Sequence, residues 1–124
     1  MSQSRILVID DDRNFLRFTS EVLTGAGYDV RALEEPFSVI ALAEDFQPHL
    51  ILLDITIPGK DGFQLAQELS AGKTTADIPR LFITAKSASE GSVLAKNVGG
   101  VAYLEKPVKT STLLWTIKTI LEKK

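Results

Sequence analysis

The acidic residues that could take part in catalysis or metal binding are the triplet Asp10-Asp11-Asp12 and the single Asp54. The triplet ends one short hydrophobic run, and Asp54 ends another. Several carboxylates in close contact cannot all stay ionised unless a cation lies among them. Mg²⁺ suits such a group, because it binds a few carboxylate oxygens and keeps positions for water and phosphate oxygens. The triplet has a simpler interpretation as a helix cap, which we assign to Asp12.

The elements that must position these residues follow from the hydrophobic pattern. Short apolar runs predict five strands, over residues 5–10, 28–33, 49–54, 80–84 and 100–104. Apolar residues at helical spacing predict helices over residues 13–25, 36–46, 62–70, 89–98 and 110–122. The apolar stripe of the first includes Phe15 and Phe18, and that of the second includes Phe37. The first, third and fourth strands are nearly continuous hydrophobics, which is typical of parallel strands covered on both faces. The alternation predicts an α/β fold, (βα)5, with a doubly wound parallel sheet.

The doubly wound sheet explains how distant aspartates could meet. Ligands of such sheets bind beyond the carboxyl ends of the strands, where the strand order reverses. In the order 2-1-3-4-5 this point lies between the first and third strands, so Asp10, Asp11 and Asp54 would share one pocket. Turn residues Pro58, Gly59 and Gly62 follow the third strand and predict a turn before the next helix.

Composition narrows the class of protein. A length of 124 residues predicts one domain, residues 1–124, which can bury a core without disulfides or a structural metal. The absence of cysteine excludes thiolate metal sites, and a net charge of −2 gives no sign of a nucleic-acid-binding surface. No apolar run approaches the roughly 20 residues of a membrane span, and the first residues do not look like a signal peptide. We expect a cytoplasmic domain with no membrane and no direct nucleic-acid partner.

Four segments together resemble the response-regulator receiver family of two-component signalling, the CheY-like family. They are residues 6–12 (ILVIDDD), 48–62 (PHLILLDITIPGKDG), 81–85 (LFITA) and 102–107 (AYLEKP). One short motif warrants only a hypothesis, but four in order and at family-like spacing are specific. The resemblance runs over nearly the whole chain and implies the flavodoxin-like strand order 2-1-3-4-5.

The resemblance implies a role for each matched acidic residue. Asp54 would be the nucleophile that accepts a phosphoryl group from a phosphohistidine. Mg²⁺ would be bound directly by Asp11, Asp54 and the backbone carbonyl of Thr56. Asp10 would help to hold the ion through water.

The resemblance also implies the residues that sense the phosphoryl group. Lys106 would pair with the phosphoryl oxygens, and Thr84 would donate a hydroxyl hydrogen bond to them. Tyr103 would swing inward with Thr84 on activation. A cis peptide bond is implied between Lys106 and Pro107, a turn position. Without the resemblance, a lysine that ends a strand would be taken for a solvated charge.

The function implied is a phosphorylation-dependent switch in a phosphorelay, and not an enzyme beyond assisting its own phosphorylation and dephosphorylation. Its partners would be a histidine kinase or phosphotransfer protein and an unknown output partner or a second copy of itself. The output face would combine the predicted helix at 89–98, the fifth strand and the last helix, where Trp115 is predicted to be exposed.

Several other functions stay open from the sequence. The protein could be a phosphorelay shuttle or sink, or a pseudo-receiver that is never phosphorylated, although the intact acidic set argues against the latter. An aspartyl-nucleophile phosphatase would need a DxD pair on the first strand and a cap region. A flavin carrier would need a phosphate-binding loop where the aspartate triplet stands, and the triplet would repel phosphate.

Overall fold

One parallel sheet forms the centre of the molecule. The computed structural model describes residues 3–54, 59, 62–84 and 100–122 of the chain. The strands are β1 (Arg5–Ile9), β2 (Asp29–Leu33), β3 (Leu50–Leu53), β4 (Arg80–Thr84) and β5 (Gly100–Glu105). All neighbouring strands are parallel, and their order is β2-β1-β3-β4-β5. The predicted fold class and strand order are therefore confirmed.

The described helices cover both faces of this sheet. They are α1 (Arg13–Gly25), α2 (Val39–Phe46), α3 (Gly62–Ala71) and α4 (Thr110–Glu122). The helix predicted over residues 89–98 lies outside the described residues. Within the described part of the chain, no helix has the length and apolar character needed to cross a membrane.

The start of α2 differs from the prediction, which placed it at residue 36. The Glu35 carboxylate accepts the backbone N–H groups of Phe37 and Ser38, so a side chain satisfies donors that a first helical turn would leave free. A turn closed by the Val39 N–H and the Pro36 carbonyl, 3.4 Å apart, precedes the helix. The helix begins at Val39, and Phe37, expected on the apolar stripe, is 68% exposed in that turn.

Two hydrophobic cores lie on opposite faces of the sheet. One core packs β1, β3 and β4 against α2 and α3, and the other packs the alternate residues of the same strands against α1 and α4. The nearly continuous hydrophobicity of these strands is explained by this two-sided burial. On α1 the buried positions are Leu16, Thr19 and Leu23, whereas Phe18, expected on the apolar stripe, is 44% exposed.

The strand register brings the ends of distant segments to one edge. Ile9 pairs with Leu53, so the residues that follow them, Asp10 and Asp54, leave adjacent strands at the same level. The Asp54 N–H donates to the carbonyl of Ile9 at 3.1 Å, which continues the ladder to the site. At the other side of β3, Thr84 pairs with Glu105, and the next residue is Lys106.

Candidate functional site

Three carboxylates meet at the carboxyl edge of the sheet. Asp10, Asp11 and Asp54 each offer an oxygen, and these oxygens lie within 4.8 Å of one another. Asp10 and Asp54 are only 1% and 5% exposed, whereas Asp11 is exposed to solvent. The fold thus gathers three of the residues predicted to bind a metal, with two buried and one open to the outside.

The ammonium group of Lys106 lies against this acidic cluster. Its Nζ donates to Oδ2 of Asp10 at 2.7 Å and to Oδ2 of Asp54 at 3.3 Å. The Lys106 side chain is 20% exposed, so the ion pairs are largely shielded from water. The peptide bond between Lys106 and Pro107 is cis, as the resemblance implied, and Pro107 lies in the bend before α4.

The residues of the aspartate triplet have two different roles, one in the acidic cluster and one at the start of α1. Oδ1 of Asp10 accepts the backbone N–H of Asp12 at 2.9 Å, which leaves Oδ2 of Asp10 for Lys106. The Asp12 side chain accepts the N–H groups of Asn14 and Phe15 and so caps α1. The capping assignment of Asp12 is confirmed, and Asp10 belongs to the acidic cluster.

The electrostatics of the site favour a further cation. Burial raises the pKa of Asp10, and the charge of Asp54 adds to this rise, although the hydrogen bonds from Lys106 and Asp12 oppose it. Burial would lower the pKa of Lys106, but its hydrogen bond to Asp10 and the charge of Asp54 outweigh burial and raise it. Among the described residues, one ammonium thus pairs with two members of a cluster of three carboxylates. A hard divalent ion with oxygen ligands fits this excess of negative charge.

An aromatic residue at the site was missed from the sequence. The ring centroid of Phe15, in the first turn of α1, lies 4.3 Å from Nζ of Lys106. Phe15 also lines an open groove of about 390 Å³ with Phe18, Lys106, Pro107 and Val108. Phe15 was assigned to the apolar stripe of α1. The signal that could have found it is its place three residues after the aspartate triplet, in the first turn of the predicted helix.

The remaining predicted switch and metal residues are only partly described. Thr84 is the last residue of β4, but its side chain is outside the described part of the structure. Thr56 also lies outside the described residues. Tyr103 is half-buried on β5 and packs against the core on the α2 and α3 face.

The predicted turn residues after β3 have different outcomes. Gly59 adopts a φ of +94°, a conformation that favours glycine and is typical of turns. Gly62 is buried and is the first residue of α3, which is where the helix predicted over residues 62–70 was expected to begin. Glycine marks where a turn can occur but does not exclude the first helical turn, whose N–H groups need no intrahelical partner. Pro58 lies outside the described residues.

Comparisons with known proteins agree on one family. A family model described as the response regulator receiver domain matches residues 6–118. Protein PilH of Pseudomonas aeruginosa is 35% identical over 118 residues, covering 95% of this chain and 98% of PilH. The DNA-binding dual master transcriptional regulator RpaA of Synechocystis sp. is 37% identical over 119 residues, covering 96% of this chain but 49% of RpaA, so the chain spans about half the length of that relative. The crystal structure of a CheY-like response regulator receiver domain protein from Methanospirillum hungatei JF-1 has a TM-score of 0.91 and 32% identity, covering 98% of this chain and 96% of that chain.

Proposed function

The chain belongs to the response regulator receiver domain family, and from this premise we propose that it is a signalling switch phosphorylated on Asp54. The observation that carries the proposal is the setting of Asp54. Its carboxylate is buried at the end of β3, grouped with Asp10 and Asp11, and hydrogen-bonded by Lys106. A nucleophilic carboxylate beside an ammonium and two further carboxylates suits phosphoryl transfer, which depends on positioning and charge neutralisation.

The proposed transfer uses Asp54 as the nucleophile. One carboxylate oxygen of Asp54 forms a bond to phosphorus of a phosphohistidine, the P–N bond breaks, and its electron pair returns to the imidazole nitrogen. No general base is needed, because the acceptor is already an anion. The ammonium of Lys106 is proposed to pair with the oxygens of the transferred phosphoryl group. The backbone of Thr84 ends at the same edge on the neighbouring strand, which is compatible with a hydroxyl contact to them.

Mg²⁺ is the proposed cofactor. Asp11, Asp54 and the backbone carbonyl of Thr56 would bind it, with Asp10 contributing through water. The fit is supported by three carboxylate oxygens that lie within 4.8 Å of one another, two of them from residues that pair with the Lys106 ammonium. When bound, the ion would supply positive charge that neutralises the negative charge at Asp54 during phosphoryl transfer.

The proposed protein partners divide between two surfaces. A phosphodonor, a histidine kinase or phosphotransfer protein, must bring its imidazole to Asp54, and the apolar groove beside Lys106 offers a contact surface next to that point. The output partner, or a second copy of the chain, is proposed to bind the face of β5 and α4, where Trp115 is 68% exposed. Phosphorylation would alter this face through Thr84 and Tyr103.

The cytoplasm is the proposed compartment, and we propose no direct contact with nucleic acid.

The test is phosphorylation by a small donor, mapped by mass spectrometry. The protein is incubated with acetyl phosphate and Mg²⁺, and we expect one phosphoryl group, located on Asp54. Asp54→Asn should abolish the modification. Asp12→Asn is the matched control, because it makes the same chemical change at a residue that caps α1, and Asn also caps helices well. Phosphorylation at another residue that persists in Asp54→Asn would refute the proposal.

A further inference from the structure

The Lys106 ammonium is held from two sides. Asp10 and Asp54 accept its hydrogen bonds on one side, and the ring of Phe15 lies 4.3 Å from Nζ on another. A cation within about 6 Å of an aromatic centroid is attracted by the negative face of the ring. The attraction gains in strength here because the Lys106 side chain is only 20% exposed.

The ring of Phe15 is itself fixed in place. Its backbone N–H donates to the carboxylate of Asp12 at 3.2 Å, so the helix cap fixes the position of the residue. Its side chain is half-buried and packs against the core on the α1 and α4 face. Lysine, by contrast, has a long flexible stem whose rotamers must be restricted before the ammonium has one position. A rigid ring beside Nζ provides that restriction.

We infer that Phe15 is a positioning residue, whose ring face holds the ammonium of Lys106 beside Asp54 before the phosphoryl group arrives. The inference rests on the proposed role of Lys106 in phosphoryl transfer. A neutral ring suits this task, because it attracts the ammonium without adding a carboxylate to a site that already holds three. It also leaves the hydrogen-bond donors of Nζ available for phosphoryl oxygens.

The test separates the electrostatic attraction of the ring from its packing. Mono-, di- and trifluorophenylalanine, incorporated at position 15, weaken the negative ring face stepwise with little change of shape. The initial phosphorylation rate with acetyl phosphate should fall in the same order, by about two- to fivefold for the trifluorinated ring. The melting temperature should change little. The same analogues at Phe46, the last residue of α2, are the matched control: its ring lies 4.7 Å from Cζ of Arg31 and is not part of this groove, so they should leave the rate unchanged.

A spectroscopic signature reports on the contact itself. The Lys106 side-chain protons near the ring face should show a ring-current shift in the wild-type NMR spectrum, and Phe15→Leu should remove it. Lys106→Ala should slow phosphorylation by acetyl phosphate. A rate that is flat across the fluorinated series, while Lys106→Ala is slow, would overturn the inference and leave the proposed function standing. A wild-type rate in Lys106→Ala would overturn both the role of Lys106 and that of Phe15.

Discussion

The ion pairs of Lys106 can be tested by removing its charge alone. Lys106→Met keeps an unbranched side chain that can still pack against Phe15, but it takes away the ammonium. Asp10 and Asp54, which are 1% and 5% exposed, then lose a counter-charge that lies 2.7 Å and 3.3 Å from them. We expect the variant to be less stable than the wild type in metal-free solution at neutral pH.

The size of this loss follows from the burial of the pair. Removing one partner of a fully buried ion pair costs about 3–5 kcal/mol. The Lys106 side chain is 20% exposed and the methionine regains apolar contact, so we expect about 2–3 kcal/mol. For a domain of this size that loss lowers the melting temperature by roughly 6–15 °C.

The loss should depend on pH with a definite sign. The pKa of Asp10 is already raised in the folded protein, chiefly by burial, and removal of Lys106 takes away the hydrogen bond that opposes the rise. A carboxyl group whose pKa is higher in the folded than in the unfolded state binds more protons when folded. Stability therefore falls as the pH rises from the ordinary value of an aspartate through the raised value. The deficit of Lys106→Met should therefore be smaller at pH 4 than at pH 7.

The assay is denaturant unfolding in EDTA at both pH values. Lys109→Met is the matched control, because Lys109 is an exposed lysine three residues further on, and its change should stay within about 0.5 kcal/mol. Asp10→Asn in the Lys106→Met background should recover much of the loss, since it removes one buried charge. Equal stability of Lys106→Met and Lys109→Met at neutral pH would refute the reasoning.

Three further outcomes are expected. Mg²⁺ at 100 times its Kd should stabilise the wild type by about 2.7 kcal/mol, and Asp11→Ala should lose most of this stabilisation in thermal melts. A wild-type melting temperature that does not change with Mg²⁺ would count against the metal site. Trp115→Ala, at a 68% exposed position, should change stability by less than about 0.5 kcal/mol but weaken association induced by beryllofluoride in sedimentation, and unchanged association would remove Trp115 from the interface. Gly59→Ala should cost about 1–3 kcal/mol in denaturant unfolding, because its φ is +94° and the new Cβ would lie 2.7 Å from Cζ of Phe37. Adding Phe37→Ala should recover the part due to that contact, and no loss in Gly59→Ala would contradict the strained turn.

The alternation of elements could be predicted from the sequence because it is a local property. Strands with few polar residues, such as β1, β3 and β4, can be buried only between two layers, and helical spacing defines the layers that cover them. The placement of Asp10 and Asp54 at the ends of strands is equally local. Parallel strands of a doubly wound sheet bring such ends to one edge, and the strand order implied by the family resemblance makes β1 and β3 neighbours, so the acidic cluster could be predicted without any coordinates.

Contacts that depend on side-chain packing could be predicted less well. Helical spacing placed Phe18 on the buried stripe of α1, but α1 packs through Leu16, Thr19 and Leu23. Phe37 was expected inside α2, but it lies in the turn between Pro36 and Val39, where that helix begins. In both cases the pattern correctly predicted a helix. The buried face of α1 and the first residue of α2 were displaced by a few residues, and for this reason Phe18 and Phe37 are exposed.

The geometry around Lys106 was decided by the tertiary structure alone. Lys106 and Asp10 are 96 positions apart, and the register of β5 on β4 and of β3 on β1 sets the distance between them. The family resemblance implied that Lys106 pairs with the phosphoryl group, but not that it binds Asp10 more closely than Asp54, nor that Phe15 lies against it. A local pattern determines which residues reach the edge of the sheet. The distances between them depend on strand register and packing. Both involve residues far apart in the chain, so a local pattern does not determine them.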